Sequence, residues 1–172
     1  MPELIPVLNK NDINNMVSRV AREISSDYQD HELILIGILK GAFVFLSDLM
    51  RHLSIPVKLD FIRVCSYGSG VSSSGNIRLV KEIEMDVNNK DVLLVEDIVD
   101  TGLTLSYLID YLRTFNPKTV KICALIDKHE RRNENIKIDY ACHKTTEGFL
   151  VGYGLDYNEN YRNLAGIYHL KL

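Results

Sequence analysis

A surplus of positive charge is missing from this sequence: 20 lysines and arginines stand against 23 aspartates and glutamates, a net charge of −3 with the histidines neutral. Nucleic-acid binding needs a basic face that displaces counterions from phosphates, so the balance argues against a nucleic-acid partner. Small anionic ligands stay open, because local geometry holds them. Cysteine is scarce. Cys65, Cys123 and Cys142 form no CxxC pair, and no histidine joins them at metal-ligand spacing. Cys123 and Cys142 fall in apolar, strand-like stretches, which reads as reduced thiols of a cytoplasmic protein. A long hydrophobic run is absent too. The most apolar stretch, residues 33–46, is broken by Lys40 and Gly41 and is too short to span a bilayer. Residues 1–10 lack the basic start and apolar run of a signal peptide. No GxxxxGK[ST] phosphate loop occurs, and the glycine pairs at 68/70 and 152/154 do not complete GxGxxG. There is no repeat, linker or domain boundary.

What is present fits one globular domain of 172 residues. Ile13, Met16, Val17, Val20, Ala21 and Ile24 recur at helical spacing, with Asn11 or Asp12 as the expected cap. Residues 33–38, 92–95 and 120–126 are continuous apolar runs, the pattern of strands covered on both faces. Residues 42–53 and 104–113 read as helices that stop ahead of Pro56 and Pro117. Residues 57–64 read as a strand and 77–80 as a short one. Between them lies a Gly/Ser-rich loop over 66–76 with little to bury. Cys65 precedes that loop without an evident role. Apolar strands alternating with helices predict an α/β domain with a mostly parallel sheet. Right-handed crossovers line up the strands' C-terminal ends along one edge, where ligands bind.

The informative segment spans 92–104, VLLVEDIVDTGLT. An apolar strand delivers Glu96 and Asp97 to the ligand-binding edge, and a tight turn through Asp100, Thr101, Gly102, Leu103 and Thr104 leads into a helix. Backbone N–H groups of such a turn, next to a helix N-terminus, bind anions. The two acids suit a ligand that also carries a vicinal diol and a divalent cation. Together they describe a sugar phosphate. An isolated Glu-Asp pair would read as solvated loop charge; its setting between a buried strand and a helix argues otherwise.

This segment resembles the PRPP-binding motif (PRPP is 5-phosphoribosyl 1-diphosphate) of the type I phosphoribosyltransferases, closest to the hypoxanthine-guanine branch. The likeness extends in order and spacing to residues 39–42 (LKGA), Ser66-Tyr67, Asp127-Lys128, residues 149–157 (FLVGYGLDY) and residues 161–164 (YRNL). It implies a phosphoribosyltransferase core, a mostly parallel twisted sheet flanked by helices, with a small hood built from both chain ends. The implied activity is Mg²⁺-dependent transfer of phosphoribosyl from PRPP to hypoxanthine or guanine.

Residue by residue, the resemblance gives the ribose and phosphate to Glu96, Asp97, Ile98, Val99, Asp100, Thr101, Gly102, Leu103 and Thr104, with Asp100 as general acid or base near purine N7. Lys40, Gly41 and Arg162 would bind pyrophosphate, in a turn whose Leu39-Lys40 bond can be cis. Lys128 would donate to the 6-oxo oxygen, which adenine lacks. Phe149 would stack on the base and Leu150 offer it backbone groups. Glu96, Asp97 and Asp156 would serve Mg²⁺. Ser66 and Tyr67 would open a loop that closes over the substrates and excludes water. Taken alone, Lys128 also reads as a solvated strand-end lysine, Asp156 and Arg162 as surface salt-bridge partners, and Phe149 as ordinary core packing. The expected assembly is a homodimer or homotetramer. The competing readings are a phosphoribosyltransferase for xanthine or another base, and a PRPP-sensing regulator of the same fold.

Overall fold

The computed structural model describes residues 2–66, 77–129, 131–146 and 148–171. In chain order the elements are β1 (Glu3–Leu8), α1 (Lys10–Asp27), β2 (Leu33–Leu39), α2 (Phe43–His52), β3 (Val57–Ser66), β4 (Ile77–Lys81), β5 (Asp91–Val99), α3 (Leu103–Arg113), β6 (Thr119–Lys128), β7 (Tyr140–Thr145), β8 (Leu150–Val151) and β9 (Ile167–Lys171).

Six strands form the main sheet in the order β4-β3-β2-β5-β6-β7. The five from β3 to β7 are parallel, and β4 adds an antiparallel edge to β3. The alternation of side chains along a strand sorts the apolar runs onto two faces. Leu33 and Leu35 of β2, with Leu93 and Val95 of β5, meet α1 and α2. Ile34, Ile36 and Ile38 of β2, with Val92 and Leu94 of β5, meet Leu105, Leu108 and Leu112 of α3. Covering both faces removes the polar face an exposed sheet would keep, which is why these strands carry continuous apolar runs. Emptying one such position, as in Leu94→Ala, costs about 2–5 kcal/mol.

Helix α1 starts two or three residues earlier than its apolar spacing suggests, at Lys10. The Asn9 side chain accepts from the N–H groups of Asn11 (2.8 Å) and Asp12 (3.0 Å), and the Asp12 carboxylate accepts from the Asn9 N–H (2.9 Å). Asn9 is therefore the cap, and Asp12, one of the two residues expected to cap, is the far member of a reciprocal capping box. The helix buries Ile13, Val17, Val20, Ala21 and Ile24.

Two strand boundaries also move. β5 does not stop at Val95 but continues through Val99, because Glu96, Ile98 and Val99 keep pairing with Ala124, Ile126 and Asp127 of β6. Glu96 and Asp97 thus lie within the strand, not just beyond it. β3 runs through Ser66, paired with Ile77, so Ser66 belongs to the strand and not to the loop. Tyr67 and the rest of the 67–76 loop lie outside the described residues.

The two ends of the chain meet in a second, antiparallel sheet of order β1-β9-β8. No helix among the described residues is long and apolar enough to cross a membrane.

Candidate active site

Sheet order fixes where a ligand can sit. The chain leaves β2 through α2 toward β3 on one side, and leaves β5 through α3 toward β6 on the other. The neighbouring parallel strands β2 and β5 therefore flank the topological switch point. The crevice beyond their C-terminal ends is the usual ligand site of such sheets. Its walls are the 39–42 turn after β2 and the 100–102 turn after β5.

The first wall carries a cis peptide between Leu39 and Lys40. The Ala42 N–H donates to the Ile38 carbonyl at 3.3 Å and the Phe43 N–H to the Lys40 carbonyl at 3.2 Å. Gly41 lies against the Asp97 carboxylate so closely that a β-carbon there would collide with it. The turn of β2 and the acid pair of β5 are therefore in direct contact.

The second wall is the acid–turn–helix segment. Glu96 is buried, and its carboxylate accepts from the Asp97 N–H at 3.1 Å; the Asp97 carboxylate accepts from the Ile98 N–H at 2.8 Å. Burial pushes both carboxyls up, and the neighbouring Asp97 charge carries Glu96 well above the usual carboxylate range. Gly102 ends the turn at φ +86°, a left-handed conformation that strains any other residue, and α3 starts at the next residue. The Thr101 hydroxyl accepts from the Leu103 N–H at 3.3 Å. Asp100 carries a buried carboxylate oxygen, Oδ1, with no hydrogen-bond partner. A hollow of about 120 Å³ is lined by Glu96, Ile98, Val99, Asp100, Thr101, Gly102, Thr104 and Leu105.

Arg132 braces this turn, and nothing in the sequence pattern marked it. Its Nε donates to the Asp100 carbonyl at 3.0 Å, and its Nη2 donates to the carbonyls of Val99 (3.3 Å) and Lys128 (3.0 Å) and to the Asp127 carboxylate. The N–H groups of Asn133 and Glu134 add bonds to the Thr101 carbonyl at 3.0 and 3.2 Å. One guanidinium thus fastens the end of β5 to the end of β6. Lys128, at that end of β6, is 6% exposed, so it is not a solvated strand-end lysine.

The third side comes from the tail. Phe149 is 52% exposed and meets Tyr157 edge to face at 5.7 Å between ring centres. Its ring is therefore not core packing. Leu150 is buried and pairs with His169. The Tyr153 hydroxyl donates to the Asp48 carboxylate of α2 at 2.7 Å, tying the tail to the core. Arg162 donates from Nη1 to the Gly154 carbonyl (2.8 Å), and its Nη2 lies 2.9 Å from Asp156 and 3.2 Å from Glu159. Lys40 Nζ reaches the same Glu159 at 2.8 Å. The Lys40-Gly41 turn and Arg162, far apart in sequence, are thus joined through Glu159.

Magnesium fits these donors in one specific way. Among the described residues no three His, Cys, Asp or Glu side chains converge as a preformed cluster, so Glu96, Asp97 and Asp156 do not form one shell. Mg²⁺ that arrives with phosphates needs only one or two carboxylates, the rest of its shell being substrate oxygens and water. The raised acid pair is the right chemistry for it, because a cation relieves the cost of charging buried carboxyls.

Comparison with known proteins identifies the family and agrees with the fold. The family model for the phosphoribosyl transferase domain matches residues 7–158. The chain is 45% identical over 163 residues to a hypoxanthine-guanine phosphoribosyltransferase of Aquifex aeolicus (strain VF5), covering 94% of this chain and 92% of that protein. It is 41% identical over 165 residues to the Bacillus subtilis (strain 168) protein of the same name, covering 96% and 92%. Among solved structures, a hypoxanthine-guanine phosphoribosyltransferase from Bacillus anthracis superposes with a TM-score of 0.92 at 36% identity, covering all (100%) of both chains. A Trypanosoma cruzi hypoxanthine phosphoribosyltransferase in complex with the product IMP gives 0.90 at 38% identity, covering 98% and 94%. The chain belongs to the hypoxanthine-guanine phosphoribosyltransferase family.

Proposed function

We infer that this chain is a purine-salvage transferase that moves the phosphoribosyl group of PRPP onto hypoxanthine, giving IMP and pyrophosphate, and onto guanine, giving GMP. The observation that carries the reading is the meeting, at one switch point, of the Lys40-Gly41 turn, the Glu96-Asp97 pair and the Gly102 turn. A sugar diphosphate needs all three, and the buried, unpartnered Asp100 oxygen belongs to the Gly102 turn.

The residues divide the work by chemistry. Asp100, Thr101, Gly102, Leu103 and Thr104 cradle the 5-phosphate at the start of α3, where backbone N–H groups and the helix dipole favour an anion. Glu96 and Asp97 accept from the ribose diol, with Ile98 and Val99 setting their spacing. As the C1–O bond of PRPP breaks, positive charge grows on the ribose and negative charge on the departing pyrophosphate. Lys40, the Gly41 backbone and Arg162 stabilise that negative charge where it develops. Asp100, hydrogen-bonded to nothing else through Oδ1, takes or gives the proton at purine N7. Lys128 donates to the 6-oxo oxygen, Phe149 offers its exposed face to the base, and Leu150 supplies backbone groups. Glu96 and Asp97 would hold Mg²⁺ and Asp156 would contact a second Mg²⁺, and the cations would supply positive charge to the diphosphate. One domain suffices for all of this, and we place the protein in the cytoplasm as a dimer or tetramer, which light scattering would resolve.

The test is a turnover assay with PRPP, Mg²⁺ and hypoxanthine, guanine, xanthine or adenine in parallel. The reading expects 6-oxopurines to react and adenine not to. PRPP binding without turnover would mark a sensor instead. A preference for xanthine over both other oxopurines would reassign the substrate.

A further inference from the structure

Glu159 has no part in the reaction as described above, yet its position is built. Asn158, Glu159 and Tyr161 adopt φ of +51°, +63° and +75°, left-handed values that non-glycine residues rarely take. The Glu159 N–H donates to the Asp156 carboxylate at 2.8 Å, which fixes the turn. The result sets the Glu159 carboxylate between Lys40 Nζ (2.8 Å) and Arg162 Nη2 (3.2 Å). Three left-handed residues of one turn thus serve to put one anion between two cations.

Those two cations are the ones assigned to pyrophosphate, and the inference rests on that assignment. An oxygen of pyrophosphate that spans Lys40 and Arg162 needs the place where the Glu159 carboxylate lies. Arg162 has little to spare: Nη1 serves the Gly154 carbonyl, Nη2 serves Asp156 and Glu159, and only Nε is buried without a partner. Glu159 and a diphosphate oxygen also carry the same sign of charge. The carboxylate is 63% exposed, so it can swing outward without unpacking anything.

We propose that Glu159 is an internal stand-in for the leaving group, which holds Lys40 and Arg162 in position and exchanges places with pyrophosphate. It keeps two like charges from splaying apart, and it competes with the product for them. Competition weakens pyrophosphate binding and so speeds its departure. A purely structural role makes the opposite prediction, since loosening the site would weaken binding.

The experiment is titration calorimetry with inorganic pyrophosphate in the presence of Mg²⁺, together with product inhibition by pyrophosphate. Glu159→Gln keeps the shape and removes the charge; it should bind pyrophosphate about three- to tenfold tighter, the range expected for relieving two partly exposed ion pairs. Inhibition should strengthen by the same factor while KM for hypoxanthine stays put. Glu159→Asp, charged but too short to reach both cations, should fall between. Equal or weaker pyrophosphate binding in a folded Glu159→Gln protein overturns the proposal. Lys40→Met and Arg162→Gln separate it from the reading beneath. If they weaken pyrophosphate binding while Glu159→Gln fails to tighten it, only the stand-in is wrong; if they leave binding untouched, the pyrophosphate assignment and the stand-in fall together.

Discussion

Arg132 Nε donates to the carbonyl of Asp100 at 3.0 Å, so the proposed proton-transfer residue is held from the neighbouring strand. The same guanidinium balances Asp127, which is 3% exposed and otherwise meets His129 at 3.2 Å. Arg132→Met should therefore have two effects. Leaving the buried Asp127 charge short of a partner should cost about 3 kcal/mol of stability, read as a fall in denaturant midpoint. Releasing the turn should raise KM for PRPP. Arg132→Lys should rescue little, because one ammonium cannot reach carbonyls on both strands. Full activity and stability in Arg132→Met would show that the turn stands without its brace.

For Asp100, substitution by asparagine keeps the shape and removes the titrating group. Turnover should drop by about 10²–10⁴, the usual contribution of a positioned acid–base group, while PRPP binding survives. Single-turnover rates across pH, beside direct PRPP binding, check this. A variant with the wild-type rate and pH profile would leave the proton to another route.

The Glu96 carboxyl is raised by burial and then by the Asp97 charge. Its protonated form is favoured in the folded chain, so the unfolded chain binds fewer protons between the ordinary carboxylate pKa and the raised one. The folded state is therefore favoured below that window, and stability declines as pH rises through the folded value. Glu96→Gln removes the titration and should lose less stability than the wild type as pH rises above the ordinary carboxylate range. Its Mg²⁺-dependent PRPP affinity should be lower and flatter with pH, whereas wild-type affinity should climb as the pair ionises. Parallel melting curves and binding titrations across pH measure both.

Lys128→Ala tests the base side alone. With Lys128 6% exposed at the end of β6, its loss should leave a 6-oxo oxygen unpaired and cost about 1–3 kcal/mol in hypoxanthine and guanine binding. PRPP affinity should hold. Unchanged kinetics with both bases would separate Lys128 from base recognition.

What the sequence disclosed follows from how local each signal is. The runs at 33–38, 92–95 and 120–126 became β2, β5 and β6 because burial on both faces leaves a continuous apolar trace. The end of β5 escaped because Glu96 and Asp97 break that trace, while the pairing that extends the strand to Val99 belongs to β6. The Asn9 cap was legible in principle, since Asn9 and Asp12 stand at capping-box spacing. The core of the site could be read because strand, acids, turn and helix are contiguous in 92–104. Arg132 and Glu159 could not. Each acts on partners brought near only by the fold: Arg132 on the end of β5 some thirty residues back, at a separation of 32 to Asp100, and Glu159 on Lys40, at a separation of 119.

The most direct measurement mixes the wild-type protein with PRPP, Mg²⁺ and hypoxanthine and quantifies IMP and pyrophosphate together. Transfer predicts the two products in equal amounts, with none when hypoxanthine is replaced by adenine. Pyrophosphate without IMP, or neither product despite bound PRPP, would contradict the account.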